Sequence, residues 1–267
     1  MKRIGIILFF LIGFFVTSFA QKKSKLPCID KEFSVVAQVV KDSLGKPNIL
    51  EAEIYSLVNS INPYFDSICV SFKLCEIRYI DNFMYDSLKH WDELKNQYHA
   101  DNRINIYFVE NIKSSPGAAG FAGLGAICNT DDDGIVLVKT ASTLVLAHEM
   151  GHYFGLLHTF QDANDLDVNL RELADGSNSA TTGDLITDTP ADPFNPALIL
   201  FTYYYYLTPD PNYPCKFVGV MKDKNGLYFD PLVGNIMSYY PEECNCGFTH
   251  EQYQRMAKTF LSNPKMW

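Results

Sequence analysis

The chain of 267 residues predicts an α+β fold, and three observations carry that expectation. Strand and helix patterns alternate as far as Phe154. Beyond Phe160 the pattern loosens into polar, turn-rich sequence, and a clear helical pattern returns only near the C-terminus. Hydrophobic residues make up 47% and aromatics 14%, enough for a sizeable core and incompatible with a disordered chain. The length suits one large domain or two lobes sharing a cleft.

Taken in order, residues 21–32 are a short polar lead with Lys22, Lys23 and Lys25. Phe33 to Lys41 is rich in β-branched residues and predicts a strand, followed by the turn Gly45-Lys46-Pro47-Asn48. Glu51 to Asn62 places Ile54, Leu57, Val58 and Ile61 at helical spacing. Ile68 to Ile80 reads as a long strand with Val70 and Phe72 on one face and Cys69 on the other. Tyr85 to Tyr98 is polar and predicts a surface helix, and Arg103 to Glu110 a buried strand. The small-residue stretch Gly117–Ala126 fits either a sheet edge that a substrate backbone can join or a plain loop. Gly134 to Lys139 predicts a strand, and Ala141 to Phe154 a helix capped by Ser142 or Thr143. Residues 161–196 are irregular, Phe201 to Leu207 is aromatic, and Asn225-Gly226 marks a hairpin between Phe217–Lys222 and Leu227–Phe229. Thr249 to Phe260 predicts a closing helix capped by Thr249.

Residues 1–20 stand apart: Lys2 and Arg3, an apolar run from Ile4 to Val16, then Ser18-Phe19-Ala20. This is the form of a signal peptide cut at Ala20–Gln21, and the run falls short of the roughly 20 apolar residues that span a bilayer. The expected location is therefore secreted or periplasmic, without stable membrane insertion. Cleavage leaves 20 basic against 31 acidic residues, a net charge of −11, which disfavours nucleic acid and anionic membrane as partners. Some acids cluster, as Asp131-Asp132-Asp133 and as Asp184, Asp188 and Asp192, which suits bound cations or a solvated surface. Seven cysteines in an exported chain point to disulfides with one thiol left over, and the absence of a C-x-x-C pair argues against a zinc ribbon.

The stretch Ala147–Phe160, AHEMGHYFGLLHTF, holds three of the six histidines. Residues four apart lie one above the other on a helix, so His148 and His152 can offer two imidazoles to one metal. Glu149 lies about 100° round the helix from His148, placed to take a proton from water at that metal. His158 would be about 9 Å further on and on another face if the helix continued. It joins the others only if the chain turns just before it, and Gly155 permits that turn. Three neutral imidazoles suit Zn²⁺ and leave a fourth position open, as in a catalytic site.

The string HEMGHYFGLLH fits the metzincin pattern HExxHxxGxxH, and the chain is identified as a metzincin-type sequence. Gly183-Asp184-Leu-Ile-Thr-Asp188-Thr189-Pro190, NIMSYYPEEC and GFTHEQYQRM further resemble the pappalysin family, its bacterial ulilysin-like members included. The similarity runs from about Phe33 to Met256. It implies a catalytic domain over residues 33–267 with two lobes. The upper lobe, about 33–155, would carry a twisted mixed sheet and the active-site helix. The lower lobe, about 156–267, would be irregular with a C-terminal helix.

The resemblance also implies that His148, His152 and His158 bind zinc, with Glu149 as general base and then proton donor. Met237 would be the methionine of the turn beneath the site. Tyr239 would steady the oxyanion, or else serve only as a core tyrosine. Asp184 and Asp188 match positions associated with structural Ca²⁺, although Asx-turn capping of the same loop is the rival reading. Cys215 and Cys244 would pair, which leaves Cys246 without an obvious mate. Cys69 and Cys75 lie too far apart to pair along an extended strand unless it bends. Cys28, in the short lead, fits a thiolate latency switch on zinc, a disulfide or a free thiol.

The function so implied is a zinc metalloendopeptidase that hydrolyses internal bonds of proteins or peptides bound in extended form. Two alternatives share the scaffold: a zinc-bearing binding or toxin-like module, and an amidase of cell-wall peptides. Glu149 weighs against the first, because a purely structural zinc has no use for a base and takes a fourth protein ligand. Natural substrate and oligomeric state are not written in the sequence.

Overall fold

In the computed structural model, residues 24–128, 133–198, 206–208 and 210–262 are described. The signal-peptide expectation, Asp131, Asp132 and most of the 201–207 aromatic stretch lie outside them.

Strand β1, Lys31–Val40, is the axis of the sheet, and its run EFSVVAQVV is buried on both faces from Val35 onward. It pairs in parallel with β2, Val70–Ile80, and with β4, Ile104–Val109. Next to β4 runs the parallel strand β7, Ile135–Val138, and beyond it β6, Gly120–Ala122, which is antiparallel. The order β2-β1-β4-β7-β6 makes a mixed five-stranded sheet. A near-continuous apolar run such as INIYFV in β4 belongs in a sheet covered on both sides. β2 lies at an edge and alternates instead, burying Val70, Phe72 and Leu74.

One face of the sheet packs on α1, Glu51–Ser60, and α3, Thr143–Tyr153, around Phe33, Val35, Ile106 and Phe108. The closing helix α4, His250–Ser262, joins the same core through Met256, Ala257 and Phe260, with Phe260 edge-on to Phe33 at 5.3 Å. The other face packs Val40, Tyr107, Val109 and Val136 with Leu94 of α2, Trp91–Tyr98. Alternate residues of β4 thus serve opposite cores, as the strand period requires.

Two expectations need correction here. The helix over Tyr85–Tyr98 forms only from Trp91, because Ser87–Leu88 (β3) pairs in parallel with Asn111–Ile112 (β5). Asp86 anchors that arrangement by accepting the Glu110 amide at 3.0 Å and the Lys139 ammonium at 2.7 Å. The second concerns Asp133, which is no solvated acid: it is buried and accepts the hydroxyl of Tyr153.

After Gly155 the chain runs mainly through turns until α4. Phe160, Phe194, Leu207, Val233, Tyr240 and Cys244 give this region a small core of its own. The hairpin at Asn225-Gly226 is made by an isolated Lys222–Tyr228 bridge rather than by full strands. Cys215 and Cys244 are joined, the pairing the resemblance implies. Cys28 is bonded to Cys69, which overturns the latency-switch expectation, since a sulfur held in a disulfide offers no thiolate to a metal. Cys69 can meet Cys28 because it is not in the strand: it sits in the left-handed region at φ 55° just before β2. Cys75 and Cys246 are free.

Candidate active site

Ser142 caps α3, its hydroxyl accepting the Val145 amide at 3.2 Å. The helix then carries Leu146, Ala147 and Met150 into the sheet core and turns His148, Glu149 and His152 toward the opposite side. It stops by a Schellman motif at Gly155, whose amide bonds His152 O at 2.8 Å while the Leu156 amide bonds Gly151 O at 3.0 Å. Gly155 has φ 91°, the left-handed conformation the sequence required there. His158 is thereby returned to the two helical histidines.

The three imidazoles converge. His158 Nε2 lies 3.2 Å from His148 Nε2 and 3.1 Å from His152 Nε2. Among the described residues these are the only three or more His, Cys, Asp or Glu side chains whose ligand atoms all fall within 4.8 Å of one another. Two of the tautomers are set by carbonyls, which only accept. His148 Nδ1–H donates to Ile236 O and His152 Nδ1–H to Leu156 O, each at 2.7 Å. Their unprotonated Nε2 atoms therefore both lie against His158 Nε2, which can donate to at most one of them, whereas a shared cation would satisfy all three. Tetrahedral zinc with bonds of about 2.05 Å would separate its ligand nitrogens by about 3.3 Å, close to what is seen. Burial holds His148 down to about 3 and His158 down to about 2, so the rings are neutral ligands at ordinary pH. The donor set fits zinc.

Glu149 is buried beside them, and burial pushes its carboxyl up to about 8. It lines a cleft of about 340 Å³ with His148 and Tyr239, closed on one side by Gly117–Gly120 and on the other by Ser238–Glu242. Met237 lies directly under α3. A Cβ on Gly151 would stand 2.5 Å from its sulfur, so glycine at that helical position lets the turn approach. The Tyr239 ring is 5.4 Å from His148 and 4.9 Å from His158, and burial followed by the Glu149 charge raises its hydroxyl to about 12. At neutral pH it is a protonated donor.

Residues 51–159, which include the histidine motif, match the family model described as reprolysin-like metallopeptidases of family M12B. Over that stretch the chain is similar to reprolysin-like metallopeptidases. An extracellular metalloprotease of Arthroderma benhamiae is 24% identical over 54% of this chain and 53% of its own length. Pappalysin-1 of Mus musculus is 29% identical over 62% of this chain and 10% of that protein. The chain thus spans about half the length of the fungal relative and a tenth of the murine one. A crystal structure of metalloproteinase-II from Bacteroides fragilis overlaps 49% of this chain and 44% of that one, at 21% identity and a TM-score of 0.32.

The sequence did not single out Glu172. It is buried against the loop of Asp184: a Cβ on Gly183 would collide with its carboxylate. Burial first, then the charges of Asp184 and Asp192, push Glu172 up to about 8. Asp184 accepts the Ile186 amide and the Thr189 hydroxyl, which is Asx-type capping of the loop. Asp188 accepts the Glu251 amide through one oxygen. The other oxygen of Asp188 and Oε1 of Glu172 are buried without a hydrogen-bond partner. Asp192, which the sequence grouped with Asp184 and Asp188 as a cation candidate, has both oxygens taken up by hydrogen bonds. Only its place after Asp188-Thr189-Pro190 could have drawn notice to it.

Proposed function

We propose that the protein is an exported zinc endopeptidase of the pappalysin type, cutting internal bonds of polypeptides laid in extended form along its cleft. The observation that carries this reading is the convergence of three tautomer-fixed histidines beside a buried glutamate at the wall of an open cleft. Zinc held by His148, His152 and His158 would supply Lewis acidity, activating a water and polarising the scissile carbonyl. Glu149, buried at the cleft wall beside the histidines, would accept a proton of that water as the water oxygen bonds to the scissile carbonyl carbon. Tyr239 donates to the oxyanion that results. Glu149 then passes its proton to the amide nitrogen as the C–N bond breaks, giving a free acid and a free amine. Gly117–Gly120, next to edge strand β6, leaves backbone accessible for a substrate to add as a strand.

The remaining assignments belong to the same reading. Residues 1–20 act as a signal peptide, and the domain divides near Gly155 into a sheet-bearing lobe and an irregular one. No helix among the described residues is long and apolar enough to cross a membrane. Calcium would bind the Asp184–Asp188 loop, where the partnerless oxygens of Glu172 and Asp188 supply hard ligands.

The test is cleavage of a proteome-derived peptide library by residues 21–267, read by mass spectrometry, beside Glu149→Ala and a chelated sample. Cuts that need both zinc and Glu149, and that fall inside peptides, are expected. Cuts only in cell-wall peptides offered beside the library would make the enzyme an amidase. No cuts from zinc-loaded protein would leave a binding module.

A further inference from the structure

We infer that Asp192 is a positioning residue of the active site: its carboxylate holds His158 and Tyr239 in register by bonding the residues beside them. The inference rests on the zinc-peptidase reading above and concerns how that site is kept in shape. Oδ2 of Asp192 accepts the hydroxyls of Thr159 and Ser238, both at 2.7 Å. Oδ1 accepts the Tyr240 hydroxyl at 3.1 Å and the Phe194 amide at 3.0 Å. Four donors fill the acceptor positions of a side chain that is only 3% exposed. Thr159 follows His158 directly, while Ser238 and Tyr240 flank Tyr239 on both sides.

Why this site needs such a bolt follows from how its parts are carried. His148 and His152 share one helix and hold their spacing by backbone geometry alone. His158 and Tyr239 come from irregular segments 81 residues apart in sequence, yet their rings stand 4.9 Å from each other. No strand ladder joins those segments. One backbone bond does, from the Thr159 amide to Met237 O at 3.1 Å, and Phe160 packs between, 4.6 Å from His158 and 4.9 Å from Tyr239. Asp192 adds three side-chain bonds that reach both segments from a third. A buried carboxylate is costly to leave unpaired, so loosening any donor penalises the whole arrangement. Reacting groups displaced by about 1 Å lose about 100-fold in rate, so a bolt of this kind is felt in catalysis.

The experiment compares the exported chain, residues 21–267, with Asp192→Ala, Asp192→Asn, Thr159→Val and Ser238→Ala. Zinc affinity is measured by chelator competition and ligand geometry by the visible spectrum of the cobalt(II)-substituted protein. The kcat and KM are read on a peptide the parent cuts, and Tm is taken for each variant. We expect Asp192→Ala to weaken zinc binding about tenfold or more. Its cobalt spectrum should change, and kcat should fall at least tenfold with KM within about twofold. Asp192→Asn, which keeps shape and can still bond the hydroxyls, should recover most of the loss. Thr159→Val and Ser238→Ala, each removing one bond, should lose part of kcat.

A merely structural role would lower Tm and leave zinc affinity, cobalt spectrum and kcat at parental values in the folded fraction; that result overturns the inference. If Asp192→Ala does not fold, parental values in both Thr159→Val and Ser238→Ala overturn it equally. A parent chain that binds no zinc overturns the peptidase reading itself, and the inference with it.

Discussion

At the scale of single residues, the proposed chemistry depends on one proton carrier, one donor and one turn. Tyr239 is protonated at neutral pH and stands over two of the histidines. Tyr239→Phe should therefore lower kcat by about 100-fold while KM and zinc content barely change, since the donor acts where charge develops. An unchanged kcat on a peptide substrate would reduce Tyr239 to a core tyrosine. Gly155 is a conformational requirement. Its φ is 91°, and an added Cβ would meet Thr259 Oγ1 of α4 at 2.8 Å. Gly155→Ala should cost about 1–3 kcal/mol in thermal or denaturant melts, from backbone strain with steric crowding added. Parental melting would show that the turn tolerates a side chain.

At the scale of elements, α3 is tied to the turn at Met237 as well as to the segment that follows Gly155. His148 bonds Ile236 O, Ser142 bonds Glu242 at 2.6 Å, and Gly151 admits Met237. The disulfides play a different part. Cys28–Cys69 fastens the start of β1 to the start of β2, across a separation of 41 residues. A crosslink of that span stabilises by roughly 3–4 kcal/mol through loss of unfolded-state entropy. Cys28→Ala should lower Tm and leave the specific activity of the folded enzyme unchanged, measured on the same preparation. A gain in activity would revive the switch that the structure replaces with a crosslink.

At the scale of the whole molecule, the buried acids around Glu172 make stability depend on pH and, on the proposed reading, on calcium. Burial holds Glu172 at about 8 against an ordinary 4.5, and Asp184 at about 7 against 3.8. A carboxyl raised on folding keeps its contribution below the unfolded value and loses it as pH rises through the folded one. Calcium-free, zinc-loaded protein should accordingly melt lower at pH 8 than at pH 5. Calcium held as proposed would favour the ionised form and should reverse that slope. At 100 times its Kd it would add about 2.7 kcal/mol, or roughly 5–10 °C in Tm for a chain of this size. Glu172→Gln should flatten the pH dependence and weaken the calcium effect. Identical melts with and without calcium at pH 8 would remove the cation from the account.

How much of this was legible depended on range. The histidine motif could be read because helical period and a glycine turn are local: i to i+4 fixes two ligands, and Gly155 returns the third. The buried strands β1 and β4 announced themselves by continuous apolar runs, and the α3 cap and the closing helix lay within a residue or two of their expected ends. The start of α2 was misplaced because Asp86 is captured by Glu110 and Lys139, far along the chain. Cys28 could be read three ways because pairing is decided where β1 and β2 begin side by side, not by spacing. Glu172 carried no signal as a binding residue, since an isolated acid in turn-rich sequence looks the same whether solvated or buried, and Asp192, grouped with Asp184 and Asp188 as a cation candidate, carried none as a positioning residue. The sequence by itself determined that three histidines converge beside a glutamate and where the chain turns to bring them together, because those are set by the covalent geometry of one short segment. Only the tertiary structure decided which carbonyls fix the imidazole tautomers, which acids lose their water and which cysteines meet, because those follow from segments brought together by burial.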